Sequence, residues 1–171
     1  MFDFAEKIEL HKVYFSLFPE LWESFHCDGI DLDTVTWSET KFLSDDGTSL
    51  NEGMDNLPNN KGGIYIFCAK CGILPGTSNY LMYIGRAKVT GTHSLKVRCR
   101  KYFSEYQNED GRPKIRRLVK QWGKYLYLKY IELDNNELIE RLEASLINSI
   151  LPPFNDVIPE KRTRDAVKMF I

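Results

Sequence analysis

Apolar and polar positions alternate with a period of two in two short stretches near the middle of the chain. In "GGIYIF", Ile64 and Ile66 fall on one face of an extended backbone and Tyr65 on the other; in "LMYIG", Met82 and Ile84 share a face and Tyr83 opposes them. The pattern predicts strands over 62–68 and 80–85, joined by a loop at 69–79 that carries Pro-Gly and Ser-Asn turn signals. Paired antiparallel, the two strands bring both phenols to one side of the sheet, with Phe67 and Leu81 on that same face. Beyond them the period lengthens. Helices are predicted over about 94–106, 113–122 and 135–150, with a strand at 125–132, and Pro152 and Pro153 stop the last helix.

The expected class is therefore α+β, a small domain with a three-stranded antiparallel sheet flanked by helices. Residues 2–25 repeat apolar positions at helical spacing with a break near Pro19, which suits one long helix or two short ones. Residues 27–60, rich in Asp, Asn, Gly and Ser, read as a long irregular segment. The division is a mostly helical acidic extension at 1–60, a domain at 61–158, and a basic tail, "EKRTRDAVK", within 159–171.

Charge sharpens this division. The whole chain has a net charge of −1, but residues 1–60 hold three lysines against thirteen acids, a net of −10, whereas residues 86–124 hold twelve basic groups against three acids, a net of +9. A basic central segment is what a phosphate backbone attracts. No run of residues approaches the length of a membrane span, and "MFDFAEK" lacks the form of a signal peptide, so the expectation is a cytoplasmic protein with no membrane partner. Cys27, Cys68, Cys71 and Cys99 are too scattered for a disulfide framework, and the single CxxC lacks the second pair a four-cysteine zinc site needs.

Candidate chemistry gathers on the two tyrosine strands and downstream of them. Gly63 and Gly85 remove side chains where a ligand phosphate could approach the backbone. Ser94 suits an N-cap, and the helix it opens places Arg98 and Tyr102 four apart on one face. In the last helix Ile139, Leu142, Leu146, Ile147 and Ile150 form the buried stripe, and Glu143 falls inside it while Glu137, Glu140 and Arg141 fall outside. A carboxylate on a core face needs a partner, a hydrogen bond or a metal ion; Arg98 is one candidate partner. The rigid "LPPFN" turn would hold Asn155 near the end of that helix.

Gly63-Ile64-Tyr65, Tyr83-Ile84-Gly85, Arg98 with Tyr102, and Glu143 with Asn155 twelve residues later together resemble the GIY-YIG endonuclease superfamily over about residues 61–156. "YIGRAK" and "LKVRCRKYF" look most like the nuclease domain of the excision-repair incision enzyme, and the chain length and added N-terminal segment are nearer restriction and phage-type members. The resemblance implies hydrolysis of DNA phosphodiesters to 5′-phosphate and 3′-hydroxyl ends. It implies Tyr65 as the base that takes a water proton, Tyr83 as its hydrogen-bonding neighbour, and Arg98 as a bidentate clamp on the scissile phosphate, with Tyr102 beside it. Glu143 would bind one Mg²⁺ or Mn²⁺ per site, and Asn155 would tie the helix end to the site. Lys96, Arg100 and Lys101 are candidate contacts to the DNA backbone.

Two features depart from the family pattern. Arg86 stands where many members have lysine, with Lys88 two residues on; these are the cations expected to favour a Tyr65 phenolate. Fifteen residues separate Tyr83 from Arg98, and the extra "VTGTH" implies a longer loop that brings His93 toward the substrate. Restriction, anti-phage defence or a mobile element is the expected setting. Structure-selective repair nicking and a non-cleaving nucleic-acid-binding module on the same scaffold are the alternatives. The acidic N-terminal region is expected to cover the basic segment, or to dock a second copy or a partner subunit.

Overall fold

The computed structural model of the chain describes residues 2–169. Its architecture is α+β: a four-stranded sheet, every neighbouring pair antiparallel, with six α-helices among the described residues. In chain order these are α1 (Phe2–Leu10), α2 (Pro19–Glu23), β1 (Ser38–Lys41), β2 (Gly62–Lys70), β3 (Asn79–Ala87), α3 (Leu95–Gln107), α4 (Pro113–Trp122), β4 (Leu126–Leu133), α5 (Asn136–Ile150) and α6 (Lys161–Lys168). The strand order is β1-β4-β2-β3. None of the described helices is long and apolar enough to cross a membrane.

The period-two alternation divides the core into two layers. Tyr65, Phe67, Tyr83, Leu126, Leu128 and Tyr130 face one side and pack with Leu95, Cys99 and Tyr102 of α3 and Ile115, Leu118 and Val119 of α4. Ile64, Ile84 and Ile131 face the other side and meet Ile139, Leu142, Leu146 and Ile147 of α5. The helices start and stop where the sequence directs. Ser94 accepts a hydrogen bond from the Val97 amide at 3.2 Å, and Asn135 accepts from Glu137 and Leu138 at 2.9 and 3.0 Å. Leu151 takes up a left-handed conformation (φ 53°), and Pro152 and Pro153 follow it.

Two expectations are corrected. The sheet has four strands rather than three, because Ser38–Lys41, inside the segment read as irregular, pairs with β4 in the register Thr40 to Leu128. "SETK" has no apolar alternation; the strand is fixed by its backbone ladder and by the fully buried Phe42 that follows it. Second, a bulge between Phe67 and Cys68 pairs Phe67 with Tyr83 but Cys68 with Leu81, so Met82 joins the tyrosine face and Leu81 the isoleucine face, the reverse of simple alternation. The segment read as a basic tail carries α6, and its last two residues, 170 and 171, lie outside the described residues.

The free edge of β3 is covered by the turn after α5. The Phe154 amide donates to the Met82 carbonyl at 3.0 Å. The Asn155 side chain accepts from the Ile84 amide at 3.0 Å and donates to the Ile84 carbonyl at 2.8 Å. One side-chain amide thereby satisfies both backbone groups of an edge-strand residue.

Candidate active site

Three phenols and two guanidiniums converge where β2, β3, α3 and α4 meet. Tyr65 on β2 and Tyr102 on α3 are fully buried, and their hydroxyl oxygens lie 2.6 Å apart; Tyr83 on β3 lies 3.3 Å from the Tyr102 oxygen. Arg112 closes the group, its Nη2 donating to the hydroxyls of both Tyr83 and Tyr102 at 3.0 Å. The Arg98 guanidinium stacks over the Tyr102 ring, 4.7 Å from its centre, as the four-residue spacing on α3 dictates.

Arg112 was not among the predicted residues. It precedes Pro113, the first residue of α4, and proline forces an extended backbone on the residue before it (φ −74°, ψ 126°). An arginine at that position is turned out of the helix, and this X-Pro signal was available in the sequence.

Burial governs the protonation of the cluster. It pushes the Tyr65 phenol well above the usual tyrosine range, reinforced by Tyr102 and Tyr83 and opposed by Arg98. Tyr102 is pushed up in the same way. The Arg98 guanidinium is also partly buried, which by itself would lower its pKa, but the facing Tyr65 and Tyr102 phenols raise it and keep it charged. Tyr65 is therefore a neutral phenol in this state.

The cations expected to favour its phenolate are engaged elsewhere. Arg86 pairs with Glu143 and lies 3.5 Å from Glu140, and Lys88 pairs with Glu140. Glu143 thus takes Arg86 as its partner rather than Arg98. Its side chain is 15% exposed, and burial raises its pKa against the pull of Arg86, Arg112 and Arg98. A cleft of 400 Å³ opens beside these groups, lined by Arg86, Lys88, Thr90, His93 and Arg98. His93 stands at this cleft because Thr92 and Thr90 hydroxyls hold its Nδ1 at 2.9 and 3.2 Å.

The two motif glycines admit protein rather than ligand. A Cβ on Gly85 would strike the Tyr65 ring, and one on Gly63 (φ 154°) would strike the Ile131 carbonyl of β4. The three α3 cations have protein partners. Lys96 donates to the Asp55 carbonyl at 2.6 Å, Arg100 pairs with the Asp55 carboxylate, and Lys101 lies 3.9 Å from Glu105. Asn155 spends its amide on Ile84, so it braces the strand that carries Tyr83. A larger cavity of 720 Å³, between the 11–15 stretch and the β2–β3 hairpin, is lined mainly by apolar groups such as Phe15, Ile73 and Trp122 and holds none of these residues.

Among the described residues no three His, Cys, Asp or Glu side chains come together. For a cation the protein offers the carboxylate of Glu143, which pairs with Arg86 on the wall of the cleft. That suits a hard divalent ion, which keeps water and substrate oxygens in its remaining positions.

No family model and no solved structure matches the chain. Two curated relatives are proteins named UvrABC system protein C. The one from Wolinella succinogenes is 28% identical over 116 residues, 67% of this chain and 17% of that protein. The one from Helicobacter pylori strain G27 is 30% identical over 125 residues, 70% of this chain and 18% of that protein. The chain is thus similar to less than a fifth of the length of the relatives it matches.

Proposed function

We propose that the chain is a divalent-metal-dependent DNA endonuclease that hydrolyses phosphodiester bonds and leaves 5′-phosphate and 3′-hydroxyl ends. The observation that carries this reading is the convergence of Tyr65, Tyr83, Tyr102, Arg98 and Arg112 beside a cationic cleft whose Arg86 pairs with Glu143. The likeness to UvrABC system protein C agrees with the sequence resemblance to the GIY-YIG superfamily and its excision-repair nuclease domain.

Arg98 and Arg112 supply fixed positive charge where a phosphorane-like transition state gathers negative charge, and preorganised charge of this kind is the largest contribution such a site can make. To act as base Tyr65 first gives its own proton to solvent; as phenolate, favoured by the Arg98 charge and by donation from the Tyr102 hydroxyl that Arg112 holds, it takes the proton of the attacking water and returns to the neutral phenol. A Mg²⁺ ion on Glu143 would neutralise charge on the departing 3′ oxygen. Arg86 must yield at least one Glu143 oxygen for this, and Glu140, 3.5 Å away, is at hand to receive it.

Structure-selective nicking in repair fits the relatives as well as restriction or defence does. The two settings separate on substrate: supercoiled plasmid and phage DNA against branched or lesion-bearing duplexes, in Mg²⁺ and in EDTA. Discrete bands from plasmid support restriction, and preferential nicking of the distorted duplex supports repair. The Arg86–Glu143 pair favours a second reading, a non-cleaving nucleic-acid-binding module, which predicts binding with no cleavage of any substrate.

A further inference from the structure

Of the α3 cations that sequence spacing offers to the DNA backbone, Arg100 is paired with the Asp55 carboxylate, Lys96 is held by the Asp55 backbone carbonyl and Lys101 lies 3.9 Å from Glu105, whereas α4 carries cations with no ion pair among the described residues. On α4, Arg116, Arg117 and Lys120 line a pocket of 580 Å³ with Tyr106 and Gln107 of α3 and with Glu109 of the connecting loop. None of these three cations forms an ion pair among the described residues; the α4 pair is Lys114 with Asp156, at 3.6 Å. Three cations against one carboxylate leave the pocket a net charge of +2.

The guanidinium of Arg116 is half satisfied. Its Nη1 donates to the Glu109 carbonyl, while its Nε is buried with no hydrogen-bond partner. A buried N–H without an acceptor is costly, and an arginine fork donates bidentately to a phosphate. Arg117 is already oriented, its Nη2 bound by the Leu10 and Lys12 carbonyls at 3.0 and 3.1 Å, and Lys120 is exposed. Arg116 and Lys120 lie four residues, about 6 Å, apart along one face of α4, and Arg112 stands at the N-cap four residues before Arg116. Arg112 is the member that enters the phenol cluster.

We propose that this pocket is a second phosphate subsite, which holds the backbone of the DNA strand leaving the candidate active site along α4, with Arg116 and Lys120 as its principal contacts. The inference rests on the nuclease reading for its ligand class and deepens it, moving the backbone grip from α3 to α4.

The test measures duplex DNA binding against salt, and cleavage kinetics in Mg²⁺, for the full chain and for Arg116→Gln with Lys120→Gln. Two lost phosphate contacts lower the slope of log affinity against log salt by about 2, and KM for DNA rises several-fold while kcat at saturation is retained. Lys120→Gln alone touches only an exposed ammonium and takes away about half of that slope change; Arg116→Lys, which keeps the charge, leaves the slope in place. Unchanged slope and KM in the double variant of a cleaving protein overturn the subsite and leave the nuclease reading standing. A slope lost in the variant of a protein that binds but never cuts upholds the subsite and removes the nuclease reading.

Discussion

Tyr65 and Gly85 are register partners across β2 and β3, and a Cβ on Gly85 would lie 2.6 Å from the Tyr65 ring and hydroxyl. The glycine is required by the tyrosine: the phenol lies across its neighbour's backbone to reach Tyr102. Gly85→Ala forces the ring aside, costs about 1–3 kcal/mol as overpacking, and lowers cleavage more than tenfold. Gly91→Ala, where a Cβ meets nothing within 4 Å, leaves the melting temperature unchanged. Thermal melts with a cleavage assay read both.

Arg112 bridges two phenols from one nitrogen, and its loss leaves the Tyr83 and Tyr102 hydroxyls short of a donor in a buried site. Arg112→Met is expected to cost about 1–3 kcal/mol and to depress kcat far more than KM. Arg112→Lys restores the charge without the planar fork and recovers the activity only in part. Urea denaturation and steady-state kinetics separate the two effects.

Asn155→Ala removes both hydrogen bonds to Ile84 and opens the edge of β3. The expected loss of stability is about 1–3 kcal/mol for each backbone group left unpaired in a part-buried setting, read as a lower urea midpoint. Hydrogen exchange of the Ile84 amide accelerates in the variant.

Burial raises Tyr65 and Tyr102 in the folded protein, so both stay protonated at a pH where the unfolded chain ionises them. Their folded pKa lies above the unfolded value, hence this stability is fully present below about pH 10 and is lost as pH rises beyond it. The urea midpoint should hold up to about pH 10 and fall as pH is raised further, and fall less in Tyr65→Phe. If Tyr65 is the base, log kcat rises with pH through pH 9.5 without a plateau.

Much of this arrangement was legible in the chain. The period of two fixed the faces of Ile64, Tyr65, Tyr83 and Ile84, and the helical stripe marked Glu143 as an acid on a core face, because both patterns depend on local geometry alone. Residues set by long-range fit were not legible. The strand Ser38–Lys41 owes its place to β4, the bulge at Cys68 exchanged Met82 and Leu81, and the Glu143 partner came from β3 rather than α3. Asp55, in the segment read as irregular, ties down two α3 cations that spacing alone left free.

Among the described residues one ion pair joins the acidic segment to the basic one, Asp55 with Arg100. We propose that this contact restrains α3; Asp55→Asn should strengthen DNA binding by less than tenfold and steepen its salt dependence, which a titration at two ionic strengths checks.

Incubation of supercoiled plasmid with the protein, Glu143→Ala and Arg98→Ala, in Mg²⁺ and in EDTA, tests the central claim most directly. Nicked or linear DNA formed by the unaltered protein in Mg²⁺, absent in EDTA and reduced at least a hundredfold in both variants, is the predicted result. Cleavage that persists undiminished in both variants, or DNA that is bound and never cut, would contradict it.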